Sequence, residues 1–142
     1  MKRKIIILLL LFTTSLFGQA LTKKEVDINR DFNDLTVEKN IFKNILIICK
    51  YYNIKVILSS FAYYNYDKTK LSNKYEIGVL KENKMMKDLA EEFGFKFVDQ
   101  NTMVEKTDAN FADHLHFTPE GMTCLADNFA KAIIEDYKNE KS

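Results

Sequence analysis

The sequence predicts an α/β domain built on a parallel sheet with helices on both faces, and three observations predict it. Short apolar, β-branched runs at 54–61 and 95–99 alternate with amphipathic stretches at 36–53, 74–93 and from 118 onward; such alternation implies right-handed crossovers between parallel strands. The run "IKVILSSF" is apolar at consecutive positions, as in a strand covered on both faces rather than one. With 46% hydrophobic and 29% charged residues in 142, the composition is that of one globular domain and excludes a disordered chain or a repeat array.

Residues 1–20 read as a secretory signal. Lys2, Arg3 and Lys4 form a positive start, Ile5 to Phe12 open an apolar run, and Gly18-Gln19-Ala20 offers small residues for cleavage after Ala20. Thr13, Thr14 and Ser15 interrupt the run, which falls short of the roughly 20 apolar residues that span a bilayer as a helix. Export to the periplasm or beyond is therefore expected, with a membrane anchor as the alternative. The same apolar run also fits a buried first strand. The domain proper is then 21–142.

The elements follow in order. Val37, Ile41, Phe42, Ile45, Ile48, Cys49 and Tyr52 recur at helical spacing over 36–53, with Thr36 as N-cap and Glu38 in the first turn. After the strand at 54–61 comes a tyrosine-rich loop. A second helix over 74–93 turns Ile77, Leu80, Met86, Leu89, Ala90 and Phe93 inward, and Gly94 stops it. "FKFVD" at 95–99 is a second strand, followed by a connecting segment with at most one helical turn. Thr118 caps the last helix, Pro119 takes its first position, and Met122, Leu125, Ala126, Phe129, Ala130, Ile133, Ile134 and Tyr137 form its apolar stripe.

Charge narrows the partners. Lys plus Arg total 21 against 20 for Asp plus Glu, a formal +1, and loss of the three N-terminal cations would leave 18 against 20, a net −2. No basic stripe marks a nucleic-acid footprint. Cys49 and Cys124 fall at apolar helical positions without metal-ligand spacing, and are expected as buried free thiols.

The chemistry concentrates in "FADHLHFTPEGM", where Asp113 and His116 stand three apart in a loop feeding a capped helix. A carboxylate that accepts from one imidazole nitrogen fixes the tautomer and leaves the other free to take a proton. Asp113 would orient and His116 would act as general base toward a serine hydroxyl.

This block, with its Asp-x-x-His, Thr118, Gly121 and amphipathic closing helix, resembles the last block of the SGNH (GDSL-type) hydrolases. The resemblance extends over roughly 36–138 and covers only the family's C-terminal portion. It implies a three-layer, flavodoxin-like fold and hydrolysis of carboxylic esters or of acetyl esters on carbohydrate, with no cofactor and no metal. The family's opening Gly-Asp-Ser block, which supplies the nucleophile, has no counterpart here. Asn33-Asp34 is similar to part of its Gly-x-Asn-Asp block, but no Gly stands two residues before Asn33 and no strand precedes it. An N-terminally truncated domain of this type is therefore expected. It is either an esterase whose serine is unassigned or an inactive remnant that binds a glycan or partner; completion by another chain is a further expectation.

Three further groups of residues bear on the site. Ser59 and Ser60 lie at the carboxyl end of a strand, on the expected active edge, but not on a tight strand-to-helix turn. His114 alternates with His116 beside Asp113, yet the chain has 2 His in all and zinc sites want three or four ligands. Phe61, Tyr63, Tyr64 and Tyr66 either line a cleft or pack against the neighbouring helix.

Overall fold

The computed structural model describes residues 34–139 of the chain. The expected signal segment, the lead-in to Asn33 and the last three residues lie outside them. The chain divides into two compact units between Val56 and Ile57.

In the first unit, helix α1 spans Thr36–Tyr51. Thr36 is not its cap: Leu35 holds that position, and Asp34 Oδ1 accepts the Thr36 N–H at 2.9 Å. The Thr36 hydroxyl and, after it, this N–H hold the Asp34 carboxyl below its ordinary value, and give half of the Asn33-Asp34 pair a local role at the helix start. The helix ends two residues earlier than its periodicity predicts, because Asn53 adopts the left-handed conformation (φ 53°) and the Ile54 N–H closes onto Cys49 O at 2.8 Å. Asn tolerates this turn, which satisfies the last carbonyls of the helix. Phe42, Leu46 and Cys49 are buried, whereas Val37, Ile41, Ile48 and Tyr52 are exposed. Apolar residues occupy 45–49 without a break, so spacing alone could not select the inward face.

In the second unit, β1 (Ile57–Ser59) and β2 (Lys96–Val98) pair in parallel, with Leu58 opposite Phe97. Helix α2 (Lys70–Phe93) is the crossover between them and packs on both strands. A single turn, α3 (Gln100–Met103), follows β2, and α4 (Pro119–Asn139) packs on β2 and α3. An α/β unit with a parallel pair is thus as expected, with strands of only 3 residues each. Pairing stops because side chains take over the backbone groups. Asn83 accepts the Phe61 N–H at 2.6 Å and donates to Phe61 O at 2.8 Å, and Asn101 accepts the Tyr63 N–H at 3.1 Å.

Helix α2 begins four residues before the predicted start, capped by Thr69, whose hydroxyl oxygen accepts the Ser72 N–H at 3.0 Å. Gly94 ends it in the left-handed conformation (φ 69°), as predicted. Met86, Leu89 and Ala90 are buried as expected, joined by Val79 and Met85, while Ile77 and Leu80 face outward.

The stripe on α4 differs from the one predicted. Its buried residues are Gly121, Asn128 and Ala132, and Met122, Ala126, Ala130, Ile134 and Tyr137 are exposed. A hydrophobic template rejects an asparagine at the seam, yet here Asn128 donates to Gln100 Oε1 at 2.9 Å and Gln100 donates to Leu125 O at 3.2 Å. Each buried amide is satisfied by its neighbour. Cys49 is a buried free thiol, pushed up by burial, but Cys124 is free and exposed. Its Sγ lies 3.8 Å from Asn110 Oδ1, at the start of α4 instead of in the core. No helix among the described residues is long and apolar enough to cross a membrane.

Candidate active site

The loop carrying Asp113 and His116 is held at its base by two phenylalanines. Phe111 and Phe117 face each other across an antiparallel bridge with ring centroids 4.8 Å apart. Buried Phe111 joins Ala62 and Val104 in a small core, against which Tyr64, Phe117 and Leu125 pack. Above this base the Ala112 N–H donates to His116 O at 2.8 Å, and below it the Thr118 N–H donates to Asn110 O at 3.1 Å. Thr118 caps α4 as predicted: its hydroxyl donates to Ala109 O and accepts the Gly121 N–H at 3.2 Å. Residue 121 has no room for a side chain, since a Cβ there would lie 2.0 Å from Asn110 O.

Within this frame Asp113 Oδ1 accepts the N–H groups of Leu115 and His116, each at 2.8 Å, and Oδ2 lies 2.7 Å from His116 Nδ1. An ionised carboxylate only accepts, so Nδ1 carries the proton and Nε2 keeps its lone pair in the neutral ring. Nε2 makes no hydrogen bond to any described residue, and the His116 side chain is 60% exposed. The structure therefore brings together the pair the spacing singled out, with the carboxylate on Nδ1 and the ring largely exposed.

Burial pushes the Asp113 carboxyl up, but the Leu115 and His116 N–H groups and the His116 ring together outweigh it and hold it below the ordinary carboxylate range. Folded aspartate below its unfolded value of about 3.9 gives stability that is present above that pH and lost as pH falls through the lower folded value. A carboxyl-detected NMR titration is expected to place the Asp113 midpoint below that of an unstructured aspartate. A midpoint at or above it would contradict the three-donor geometry.

His114 plays a different part. Its Nδ1 lies 2.8 Å from Tyr64 O and its Nε2 3.1 Å from Asp67 Oδ2, while Tyr64 N–H donates to His114 O at 3.0 Å. The ring stacks on Tyr66 at 4.5 Å and lies nearly parallel to Tyr63 at 5.6 Å. With both nitrogens engaged, it pins the tyrosine loop to the Asp113 loop. Among the described residues no group of three or more His, Cys, Asp or Glu is placed to hold a metal ion.

The serines are placed less favourably for chemistry. Ser60 is buried, donates to Asp99 Oδ1 at 2.7 Å and accepts the Asn101 N–H at 2.8 Å, tying the end of β1 to α3. Ser72 is buried in α2, beside the Tyr63 hydroxyl and Asn65. Ser59 is a half-buried residue of β1. None of the three is hydrogen-bonded to His116.

Of the tyrosine group, Tyr63 is buried and donates to Ser72 O at 2.9 Å, Tyr64 packs on Phe111 at 5.4 Å, and Tyr66 is exposed. Tyr63 and Tyr64 also line a cleft of about 240 Å³ with Glu76, Val79, Leu80 and Lys106. Lys106 went unnoticed in the sequence: nothing in "VEKTDANF" separates it from any surface lysine.

No protein-family model matches the chain, and no curated protein matches it. Solved structures do. A GDSL-like lipase from Bacteroides thetaiotaomicron superposes with a TM-score of 0.58 at 18% identity, over 72% of this chain and 54% of that one. An acetyl xylan esterase superposes with a TM-score of 0.58 at 14% identity, over 82% of this chain and 61% of that one. The chain thus resembles GDSL-type hydrolases in fold, and spans a little more than half the length of each of these two enzymes.

Proposed function

We propose that this chain belongs to an ester-hydrolysing lineage of SGNH type, with Asp113 as orienter and His116 as general base. The reading includes a three-layer, flavodoxin-like sheet, export directed by residues 1–20, and a small-molecule or glycan ester as substrate. One observation carries it: the 2.7 Å contact between His116 Nδ1 and Asp113 Oδ2, in a pinned loop ahead of the closing helix, on a fold resembling two ester hydrolases. In such a site Nε2 takes the proton of a hydroxyl as it attacks the ester carbonyl, and returns it to the leaving alcohol.

Ser60 and Ser72 are buried in other hydrogen bonds, and Ser59 makes none to His116, so no described serine is paired with the proposed base. That favours a second reading, in which the chain by itself binds without turnover. A chromogenic acetyl ester tests the two. The purified chain is expected to hydrolyse it no faster than its His116→Ala variant. Turnover well above background that disappears in His116→Ala would overturn the non-catalytic reading and direct the search to Ser59. A His116 ring found by ¹⁵N NMR to be unprotonated at Nδ1 would overturn the assignment of orienter and base.

A further inference from the structure

Lys106 is the most unusual polar group among the described residues. Its Nζ is buried without a hydrogen-bond partner, 5.3 Å above the centre of the Phe111 ring. Nearly all buried polar groups are paired, and an ammonium without a partner costs more than a neutral group would. The ring face returns only part of that cost, on the order of 1 kcal/mol for a cation–π contact.

The same side chain lines the 240 Å³ cleft, and its polar neighbours there differ in character. Asn101 Oδ1 is committed to the Tyr63 N–H, which leaves its NH₂ group to donate in the same cleft. Opposite in character is Glu76, one of whose oxygens accepts from Asn65 at 2.7 Å and whose other oxygen remains an acceptor. Tyr64, Val79 and Leu80 add apolar wall.

We propose that this cleft is a binding site for a small polyhydroxylated carboxylate, with Lys106 and Asn101 holding the carboxylate and Glu76 accepting from a hydroxyl. Lys106 has two stations. Without ligand its ammonium rests on Phe111; a carboxylate draws it into the cleft along its flexible stem, and no hydrogen bond has to break first. The charge-assisted bond formed there is of the stronger kind. Glu76 repels a bare anion, so the site discriminates against simple anions and in favour of a ligand that also carries hydroxyls. The cleft is smaller than the roughly 300–1,000 Å³ of sites for drug-sized ligands, which fits a single sugar-like ring. Burial lowers the Lys106 pKa to about 8, against the pull of Asp99 and Glu76, as befits an ammonium that lacks a partner.

The test reads binding rather than turnover, so its outcome is independent of the ester-hydrolysis proposal. The chain, labelled with ¹³C at lysine Cε, is titrated at pH 7 with D-glucuronate, with D-glucose as the neutral match of the same ring, and with acetate as the bare carboxylate. Glucuronate is expected to saturate, to shift the Lys106 resonance and to raise its titration midpoint, because a bound anion favours the charged amine. Glucose and acetate should each bind at least tenfold more weakly, and Lys106→Met should weaken glucuronate at least tenfold. Glu76→Gln, which keeps an oxygen for Asn65 but gives up both the second acceptor and the repulsion, should narrow the difference between glucuronate and acetate. An unmoved Lys106 resonance, equal binding of glucose or acetate, or undiminished binding by a folded Lys106→Met variant would each overturn the proposal. Should that variant not fold, the wild-type resonance alone decides.

Discussion

Gly121→Ala is expected to destabilise the chain by at least about 2 kcal/mol, although alanine is the better helix former. On an exposed helix the change would gain about 1 kcal/mol from propensity. Here the new methyl would stand 2.0 Å from Asn110 O and 2.9 Å from Asn110 C, both backbone atoms. Neither can swing aside like the end of a side chain, because Asn110 O also receives the Thr118 N–H. Forced over-packing costs about 1–3 kcal/mol and occasionally more, and a backbone collision belongs at the upper end, so the clash exceeds the propensity gain. Relief would require α4 to move away from residues 109–111 and take the base of the Asp113 loop with it. Urea unfolding of both proteins measures the effect. The loss should be accompanied by a change in the ring signals of His116, five residues before Gly121. A neutral or stabilising Gly121→Ala would mean that α4 and the loop are not held at this distance.

That close approach shows how the sequence and the fold relate. Gly121 stood out in the sequence through its place in the Asp-x-x-His block, and the structure supplies the reason, a helix start laid against a carbonyl. The elements that depend on local chemistry were legible: Thr118 and Pro119 opening α4, Gly94 closing α2, and the Asp113–His116 pair within one short loop. Side chains were misplaced where burial depends on distant partners. The exposed Ile134 and Tyr137 and the buried Asn128 exchange their predicted places because Gln100, 28 residues away, satisfies that asparagine. Likewise, Thr69 starts α2 earlier than apolar spacing does, since a hydroxyl cap leaves no mark in hydrophobic periodicity. Lys106 was illegible for a related reason. A lysine's burial is set by what folds over it, and Phe111 comes from the far side of a turn.

The Lys106 ammonium leads to the second prediction, a substitution that should stabilise. A lysine whose folded pKa lies below its unfolded one is penalised in the fold whenever it is charged. Below pH 8 it is protonated in both states and the penalty is complete. Between about 8 and the unfolded value of about 10.4 the unfolded chain binds more protons than the folded one, so stability rises with pH. Above that window both states are neutral and the penalty is gone. The drop from 10.5 to about 8, at roughly 1.4 kcal/mol per pKa unit, bounds the penalty near 3 kcal/mol. The side chain is only partly buried, and solvent screening reduces this to roughly 1–2 kcal/mol. Lys106→Met keeps the length of the stem, removes the charge and places a thioether near Phe111, a favourable contact in its own right. At pH 7 the variant should therefore be more stable than the parent by about that amount, and its advantage should shrink as pH is raised from 8 toward 10.5. Denaturant unfolding of both proteins at pH 7, 8.5 and 10 gives the comparison. A variant less stable at pH 7, or an advantage that does not change with pH, would mean that the ammonium is solvated or paired in the folded chain, contrary to its placement over Phe111.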